Sequence, residues 1–303
     1  MDITKLNHGR ETYAVEYGDF VLKRPLPTLG DTARATWLAK QHRTKQAIDE
    51  IRAVNNPTYN IPAMHFINDD EYQILEERAP GVPLTSDVYK TLSARQKNEI
   101  KISLASFLVD MNELKPVGEI QQYKIRDDFK FNRLVNFVYG KMTMFFDKPD
   151  VQFMQSLCTE IGQFEYPTRP AWSHCDLNPG NVLYDFDRSK LYFIDFAEAN
   201  YQFIYRDIFS PLAIELEICR PVYDLYMQLH NKDLYQMPGA RNENLHNVLR
   251  FRAMVIYLKR FIKASDDLRI NPTCEKSIQN NYAKVKFMRT QMAQIKQLDA
   301  KLK

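Results

Sequence analysis

The chain has 303 residues, of which 45% are hydrophobic and 26% charged, with a formal net charge of +3 at pH 7. This length exceeds what one small core usually holds and predicts two lobes. The composition excludes a disordered or a fibrous protein. Because the net charge is small, we expect no general attraction to nucleic acid or to an anionic membrane.

The spacing of the cysteines and the length of the apolar segments predict the cellular compartment of the protein. The cysteines are widely spaced and form no CxxC pair, which argues against a thiolate metal site and favours a reducing compartment. They are Cys158, Cys175, Cys219 and Cys274. The first residues lack the apolar segment of a signal peptide, and no run approaches the roughly 18 apolar residues of a membrane span. A soluble cytoplasmic protein is expected.

The first part of the chain is predicted to be a small α+β lobe. Two strand patterns, Thr12–Tyr17 and Phe20–Lys23, flank a Gly-Asp pair and predict a hairpin. Apolar residues at helical spacing predict a helix from Asp31 to about Val54, and residues 71–76 predict another strand. The Pro/Gly cluster at 79–83 is the best internal boundary.

The rest of the chain is predicted to be mainly helical. Apolar residues follow a helical stripe from Ser93 to Leu114, and 129–146 is a second such segment. Two short strands, 181–184 and 191–194, interrupt the helices around a polar turn. Helices then resume, and the charged tail 277–303 has the pattern of one amphipathic helix.

One polar stretch has the order expected of a phosphoryl-transfer site. An attacking hydroxyl needs a carboxylate that orients it and takes its proton, and Asp176 is the candidate base. The amide oxygen of Asn181 and the carboxylate of Asp195 are hard oxygen ligands of the kind that Mg²⁺ prefers. We expect His174 to support the loop by hydrogen bonding. Each fragment alone is more typical of an ordinary polar turn or strand end than of a catalytic site, but their order together favours chemistry.

These residues resemble the HxDxxxxN and Asp-Phe-x motifs of the aminoglycoside phosphotransferase and choline kinase superfamily of small-molecule kinases. Cys175 stands where protein kinases carry an arginine, so the resemblance is closer to the small-molecule enzymes. Asp207, in Tyr-Arg-Asp-Ile, resembles the family aspartate that braces the catalytic loop. The resemblance implies an α+β, bilobal, protein-kinase-like fold, with a small N-terminal antiparallel-sheet lobe (1–78) and a larger, mainly helical C-terminal lobe (79–303).

The resemblance also implies how ATP is held. Lys23, at the end of a strand, would contact the α- and β-phosphates. Its acidic partner would lie on the following helix, where Glu50 is best placed and Asp49 is a rival. The stretch 6–12 would cover the nucleotide, although it has a single glycine.

A second nucleotide contact is implied at the junction between the lobes. The adenine edge would be read there by backbone groups, the C=O of Glu77 and the N–H of Ala79. Side-chain identity would then matter little at this position.

The acceptor is expected to be a hydroxyl of a small molecule such as an aminoglycoside, choline or ethanolamine, or a sugar. A polycationic aminoglycoside needs an acidic site, for which the candidates are Glu198, Glu215, Glu217 and Asp224. Choline needs an aromatic cage, for which they are Tyr201, Phe203, Tyr205, Tyr223 and Tyr226. Two alternatives stay open: a nucleotide-binding regulatory protein that has lost turnover, and a transferase that moves AMP.

Overall fold

The computed structural model describes residues 12–114, 121–124, 126, 129–144, 146–163, 165–168, 170–203 and 206–229, with isolated positions between 289 and 300. The chain packs as two compact units. The first comprises residues 1–118 and 169–231, and the second comprises 119–168 and 232–303. The expected lobes, 1–78 and 79–303, remain a prediction.

The first unit begins with an antiparallel sheet and a long helix. The elements are β1 (Thr12–Tyr17), β2 (Phe20–Pro25), α1 (Asp31–Ala53), β3 (Tyr59–Asn60), β4 (Met64–Asn68), β5 (Gln73–Glu77) and β6 (Val82–Pro83). The sheet has the order β1-β2-β5-β4 with antiparallel neighbours. The predicted hairpin is confirmed: β1 and β2 turn at Gly18, whose φ of 62° suits glycine.

Helix α1 confirms the predicted helix and lies against the sheet through one face. Its buried residues are Trp37, Gln41, Thr44, Ala47, Ile48 and Ile51. The indole Nε1–H of Trp37 donates to Thr12 Oγ1 at 2.9 Å, which ties the helix to the start of β1.

Of the remaining elements, those before residue 119 and after residue 168 belong to the first unit and those between belong to the second. They are α2 (Ser86–Thr91), α3 (Ala94–Glu113), β7 (Gln121–Lys124), α4 (Phe129–Gly140), α5 (Lys148–Gly162), β8 (Glu165–Thr168), β9 (Pro170–Ser173), β10 (Val182–Asp185), β11 (Lys190–Phe193), β12 (Asn200–Phe203), α6 (Pro211–Glu215) and α7 (Cys219–Leu229).

Helix α3 is the central helix of the first unit. Ser93 and Gln96 form a capping box at its start, which explains why the helix begins there. Phe107 is fully buried and stacks on Phe193 of β11, with ring centroids 3.8 Å apart and planes within 8°. The core of this unit therefore lies directly under the strands that carry the polar motifs.

Those strands form a second sheet, of order β3-β11-β10-β6. The predicted pair of short strands is confirmed as the antiparallel β10–β11 hairpin. The antiparallel β9–β12 pair was not foreseen, because its two strands are distant in the sequence and no short turn signal joins them.

The second unit contains the antiparallel β7–β8 pair and the packed helices α4 and α5. Helix α4 ends at Gly140, six residues before the predicted end at Phe146, because glycine is a poor helix former. A single 3-10 turn, Met142–Met144, follows. Most of the predicted tail helix, 277–303, lies outside the described residues. None of the helices in the described part of the chain has the length and apolar character needed to cross a membrane.

Candidate active site

The polar loop between β9 and β10 is fixed at its start by a buried carboxylate. Asp207, 4% exposed, accepts hydrogen bonds from the backbone N–H of His174 at 2.6 Å and of Cys175 at 3.2 Å. The expected brace of the loop is therefore present in the structure. Cys175 has a φ of 68°, a costly conformation for a residue other than glycine, and the two bonds help to hold it.

His174 has the supporting position that the sequence predicts. Its side chain is fully buried, and Nε2 lies 2.9 Å from the carbonyl oxygen of Ile194. The imidazole packs on Phe196, with ring centroids 4.6 Å apart. The ring thus connects the loop to the strand end that carries Asp195, and it has no access to a substrate.

Asp176 and Asn181 are joined directly. The amide Nδ2 of Asn181 donates to the backbone oxygen of Asp176 at 2.9 Å and to its carboxylate Oδ2 at 3.0 Å. Between them, Asn178 Oδ1 accepts from the N–H of Gly180 at 2.8 Å. The Asx turn is therefore real, and it shapes the loop that holds Asp176. The amide NH2 of Asn181 only donates, so its amide oxygen is the atom of this side chain able to bind a cation.

Asp195 follows β11 in a left-handed conformation, with φ 60° and ψ 61°. Such a conformation costs roughly 1–3 kcal/mol for a residue other than glycine and is concentrated at functional sites. The N–H of Ile194 donates to the backbone oxygen of Asn181 at 3.0 Å. The two candidate metal ligands, Asn181 and Asp195, are thus carried by backbone segments that bond to each other.

The oxygen atoms of Asn181 and Asp195 fit Mg²⁺, which is usually held by one or two carboxylates together with substrate phosphates. Among the described residues, no group of three or more His, Cys, Asp or Glu side chains could hold a metal ion. One amide oxygen and one carboxylate are the kind of incomplete donor set that proteins use for Mg²⁺ bound together with phosphates.

Lys23 lies on β2 and forms an ion pair with Glu76 of β5. The Lys23 side chain is 20% exposed and that of Glu76 is 5% exposed. Burial opposes the charge of Lys23, but the negative charges of Glu76 and Asp195 outweigh it and raise the pKa of Lys23 above its ordinary value. The structure therefore brings the predicted phosphate lysine into the field of the predicted metal ligand.

The two acids predicted as partners of Lys23 have other contacts on α1. Glu50 accepts a hydrogen bond from Gln46 at 2.8 Å, and Asp49 pairs with Lys45 at 2.5 Å. Sequence reasoning missed Glu76. A signal was available, because strand alternation places Glu76 on the same face of β5 as the fully buried Ile74.

The predicted adenine contacts lie just after β5. The Glu77 carboxylate accepts from the N–H of Ala63 at 2.8 Å and from Arg52 at 3.2 Å, so this side chain is structural. The N–H of Arg78 donates to Asp19 O at 2.8 Å, one residue before Ala79. The roles of the Glu77 C=O and the Ala79 N–H remain predictions. The predicted nucleotide loop, 6–12, lies outside the described residues except for Thr12.

Several candidates for the acceptor site are buried or engaged in contacts within the protein. Tyr226 is fully buried and its hydroxyl donates to Asn112 Oδ1 at 2.9 Å, and Tyr223 is 8% exposed, so both belong to the core. Glu198 pairs with Lys40 at 2.6 Å. Tyr201 is accessible in part and packs on Trp172, with ring centroids 4.9 Å apart.

The aromatic and acidic acceptor candidates are not all described to the same extent. The side chains of Phe203 and Tyr205 lie outside the described residues. Asp224 pairs with Arg220 at 2.9 Å and Glu215 accepts from the N–H of Ser86 at 3.4 Å. The contacts of these acids are those of ordinary surface and capping residues, and they favour no acceptor.

An α+β fold with this loop, these strand ends and a paired lysine defines the class of kinase-like phosphotransferases. Residues 2–229 match the model of the phosphotransferase enzyme family, and the chain belongs to that family. The expected superfamily and fold class are thereby confirmed. Among curated proteins, none matches this chain.

Solved structures of small-molecule kinases share the fold. The GDP complex of wild-type aminoglycoside 2'-phosphotransferase-IIIa is 16% identical with a TM-score of 0.62, covering 97% of this chain and 93% of that one. The streptomycin-ATP-APH(2")-IIa ternary complex is 15% identical with a TM-score of 0.52, covering 96% and 93%. A choline/ethanolamine kinase family protein from Mesorhizobium loti is 12% identical with a TM-score of 0.56, covering 98% and 88%.

Proposed function

We propose that this phosphotransferase moves the γ-phosphate of ATP to a hydroxyl group of a small molecule. The observation that carries the proposal is the hydrogen-bonded unit of Asp176, Asn181 and Ile194. It joins the candidate base to the strand end that bears Asp195. Phosphoryl transfer asks for positioned charges more than for covalent chemistry, and this unit supports two carboxylates, Asp176 and Asp195, and the amide oxygen of Asn181 in that role.

Asp176 is the proposed base. Its Oδ2 is fixed by the Asn181 amide at 3.0 Å, and the side chain is half-buried, so the other carboxylate oxygen is the one that faces an acceptor. A carboxylate held in this way orients the attacking hydroxyl and receives its proton. His174 supports the loop through the contact of its Nε2 with the carbonyl oxygen of Ile194.

The nucleotide phosphates are assigned to Lys23 and to a divalent cation. Asn181 and Asp195 would hold Mg²⁺, which when bound neutralises charge on the bridging phosphate oxygens. Lys23 is kept charged by its acidic neighbours, so its ammonium is available to the α- and β-phosphates. The backbone groups of Glu77 and Ala79 would bind the adenine.

The acceptor class is supported by family membership and by what the similar structures bind. Their names include streptomycin in one case and choline or ethanolamine kinase in another. We propose an aminoglycoside, choline or ethanolamine, or a sugar-like alcohol for this chain. Tyr201, a proposed cage residue, is accessible in part and packs on Trp172, with ring centroids 4.9 Å apart.

An ATP-consumption screen over aminoglycosides, amino alcohols and sugars tests the proposal, with the product identified by mass spectrometry. We expect a mass gain of one phosphoryl group; the gain of an adenylyl group would instead identify an AMP transferase. Asp176→Asn should abolish turnover while ATP affinity stays nearly unchanged, and Asp187→Asn on the exposed β10–β11 turn is the matched control. Full turnover in Asp176→Asn would contradict the mechanism.

ATP binding without any Mg-dependent ATP hydrolysis or product in the wild-type protein would favour the regulatory alternative. Slow Mg-dependent hydrolysis that disappears in Asp176→Asn would favour the enzyme even before the acceptor is found, because water can replace the acceptor hydroxyl at the same base.

A further inference from the structure

Glu76 is a buried carboxylate to which the resemblance assigns no role. It is 4% exposed and lies in the second-last position of β5. A buried carboxylate is costly unless a cation and hydrogen bonds compensate its charge. The structure supplies that cation as Lys23, which forms an ion pair with it.

The register of the sheet explains why this pair forms. Val21 of β2 lies opposite Glu76 of β5, and Lys23 lies opposite Ile74. Since side chains alternate along a strand, Lys23 and Glu76 project from the same face as diagonal neighbours, within reach of long side chains. The pair is therefore fixed by two adjacent, directly bonded strands.

Helix α1 does not offer an equivalent acid on its packed face. Its acidic residues are Asp31, Asp49 and Glu50, and none of the three is among its buried residues. The packed face instead presents Thr44, whose hydroxyl donates to the backbone oxygen of Phe196 at 3.3 Å. Helix α1 thus contacts the segment after Asp195 through neutral groups and through the Lys40–Glu198 pair.

We propose that Glu76 is the positioning residue for the phosphate-binding Lys23, in place of an acid on α1. The role of Lys23 rests on the proposed function, whereas the pairing itself rests on the sheet. Because both residues lie in the β2–β5 ladder, their pairing depends on the register of the sheet and not on an acid of α1.

The charges around Lys23 agree with this role. Burial disfavours its ammonium, and the charges of Glu76 and Asp195 restore it. Removing the Glu76 charge would leave Lys23 as a mostly buried ammonium. Of the two carboxylates that raise its pKa, Asp195, the candidate metal ligand, would remain. Lys23 would then move toward Asp195 or lose its proton, and either change would weaken its contact with phosphate.

Three variants and two controls test the pair: Glu76→Gln, Lys23→Met, the double variant, Glu50→Gln as the competing partner, and Glu99→Gln. Glu99 pairs with Arg95 on α3 at 2.8 Å and serves as the matched control for loss of one carboxylate. Each protein is measured by thermal unfolding and by ATP titration. The proteins that retain Lys23 are also measured by the rate at which acetic anhydride labels it relative to the exposed Lys90, read by peptide mass spectrometry.

We expect Glu76→Gln to weaken ATP binding by about tenfold or more. We also expect faster acetylation of Lys23, by about tenfold for each unit by which its pKa falls. Glu50→Gln and Glu99→Gln should leave the Lys23 labelling rate unchanged. The double variant should unfold at a higher temperature than the sum of the single effects predicts, because it removes both buried charges together.

The inference would be overturned if the changes in melting temperature of the two single variants add up to that of the double variant and the Lys23 labelling rate is unchanged in Glu76→Gln. The same effects in Glu50→Gln instead of Glu76→Gln would return the role to the helix. If Glu76→Gln does not fold, recovery of folding in the double variant still supports the pair, and failure of both contradicts it. If the wild-type protein binds no ATP and ATP does not slow Lys23 labelling, the proposed function of Lys23 is wrong. Thermal unfolding of the double variant, compared with the two single variants, would still decide whether Lys23 and Glu76 are paired.

Discussion

The carboxylate of Asp207 lies 2.6 Å from the backbone nitrogen of His174, which places a buried carboxylate against the start of the loop that carries the candidate base. The two residues are far apart in the sequence, and this hydrogen bond between them sets where the loop leaves β9. The orientation of the candidate base two residues later depends on it.

Asp207→Asn should therefore destabilise the protein and disturb the loop. The substitution removes a charge-assisted acceptor and turns a donor toward backbone N–H groups, which we expect to lower the free energy of unfolding by about 2 kcal/mol. Urea unfolding measures this. Asp224→Asn, which removes one partner of an exposed ion pair with Arg220, should cost under about 1 kcal/mol. Equal losses in the two variants would show that Asp207 does not brace the loop.

Asp195→Ala should weaken the binding of ATP in the presence of Mg²⁺ and leave its binding in EDTA nearly unchanged. The reason is that the lost carboxylate would bind the cation, and removal of a metal ligand or its support typically costs about 10- to 100-fold in affinity. Isothermal titration under both conditions measures the difference. If the ratio of ATP affinity with Mg²⁺ to ATP affinity in EDTA is the same in wild type and variant, that result would count against Asp195 as a ligand.

Gly81→Ala should destabilise the first unit strongly. Gly81 has a φ of 104°, and an added Cβ would lie 2.5 Å from the backbone oxygen of Tyr184. Strain and clash together should cost about 3 kcal/mol. Gly18→Ala provides the comparison, because Gly18 also has a positive φ but has no atom within 4 Å of the added Cβ, so the cost should be about 1 kcal/mol. Equal melting temperatures for the two variants would exclude the clash.

Cys158 and Cys219 should resist alkylation in the native protein. Burial raises the pKa of both thiols to about 12, so at pH 8 only about one in ten thousand of these thiols is a thiolate. Cys175 is half-buried and should be labelled by iodoacetamide first among the three, as read by peptide mapping. Comparable native labelling of Cys219 and Cys175 would contradict the burial.

The same shift predicts an effect of pH on stability. The unfolded thiols ionise above about pH 8.5, whereas the folded ones ionise only near their pKa of about 12. The unfolded state therefore gains stability in this interval, and the contribution of the neutral thiols to folding is lost as the pH rises through it.

Much of the fold followed from local patterns. The β1–β2 hairpin, α1, α3 and the β10–β11 hairpin each have an apolar period or a turn signal long enough to predict them. The β9–β12 and β7–β8 pairs and the early end of α4 were not predicted. Their strands have four residues each, like β10 and β11, but they pair with segments distant in the sequence, so no turn signal joins them.

The sequence by itself predicted the chemistry of the candidate site, because the types and order of His174, Asp176, Asn181 and Asp195 are those expected for phosphoryl transfer, and residues 2–229 place the chain in the phosphotransferase enzyme family. Only the tertiary structure decided which groups touch. In the structure, Asn181 donates a hydrogen bond to Asp176, Asp207 accepts one from the backbone N–H of His174, and Lys23 forms an ion pair with Glu76. The last pairing depends on the register of two strands, and register is set by hydrogen bonding and burial across the whole sheet.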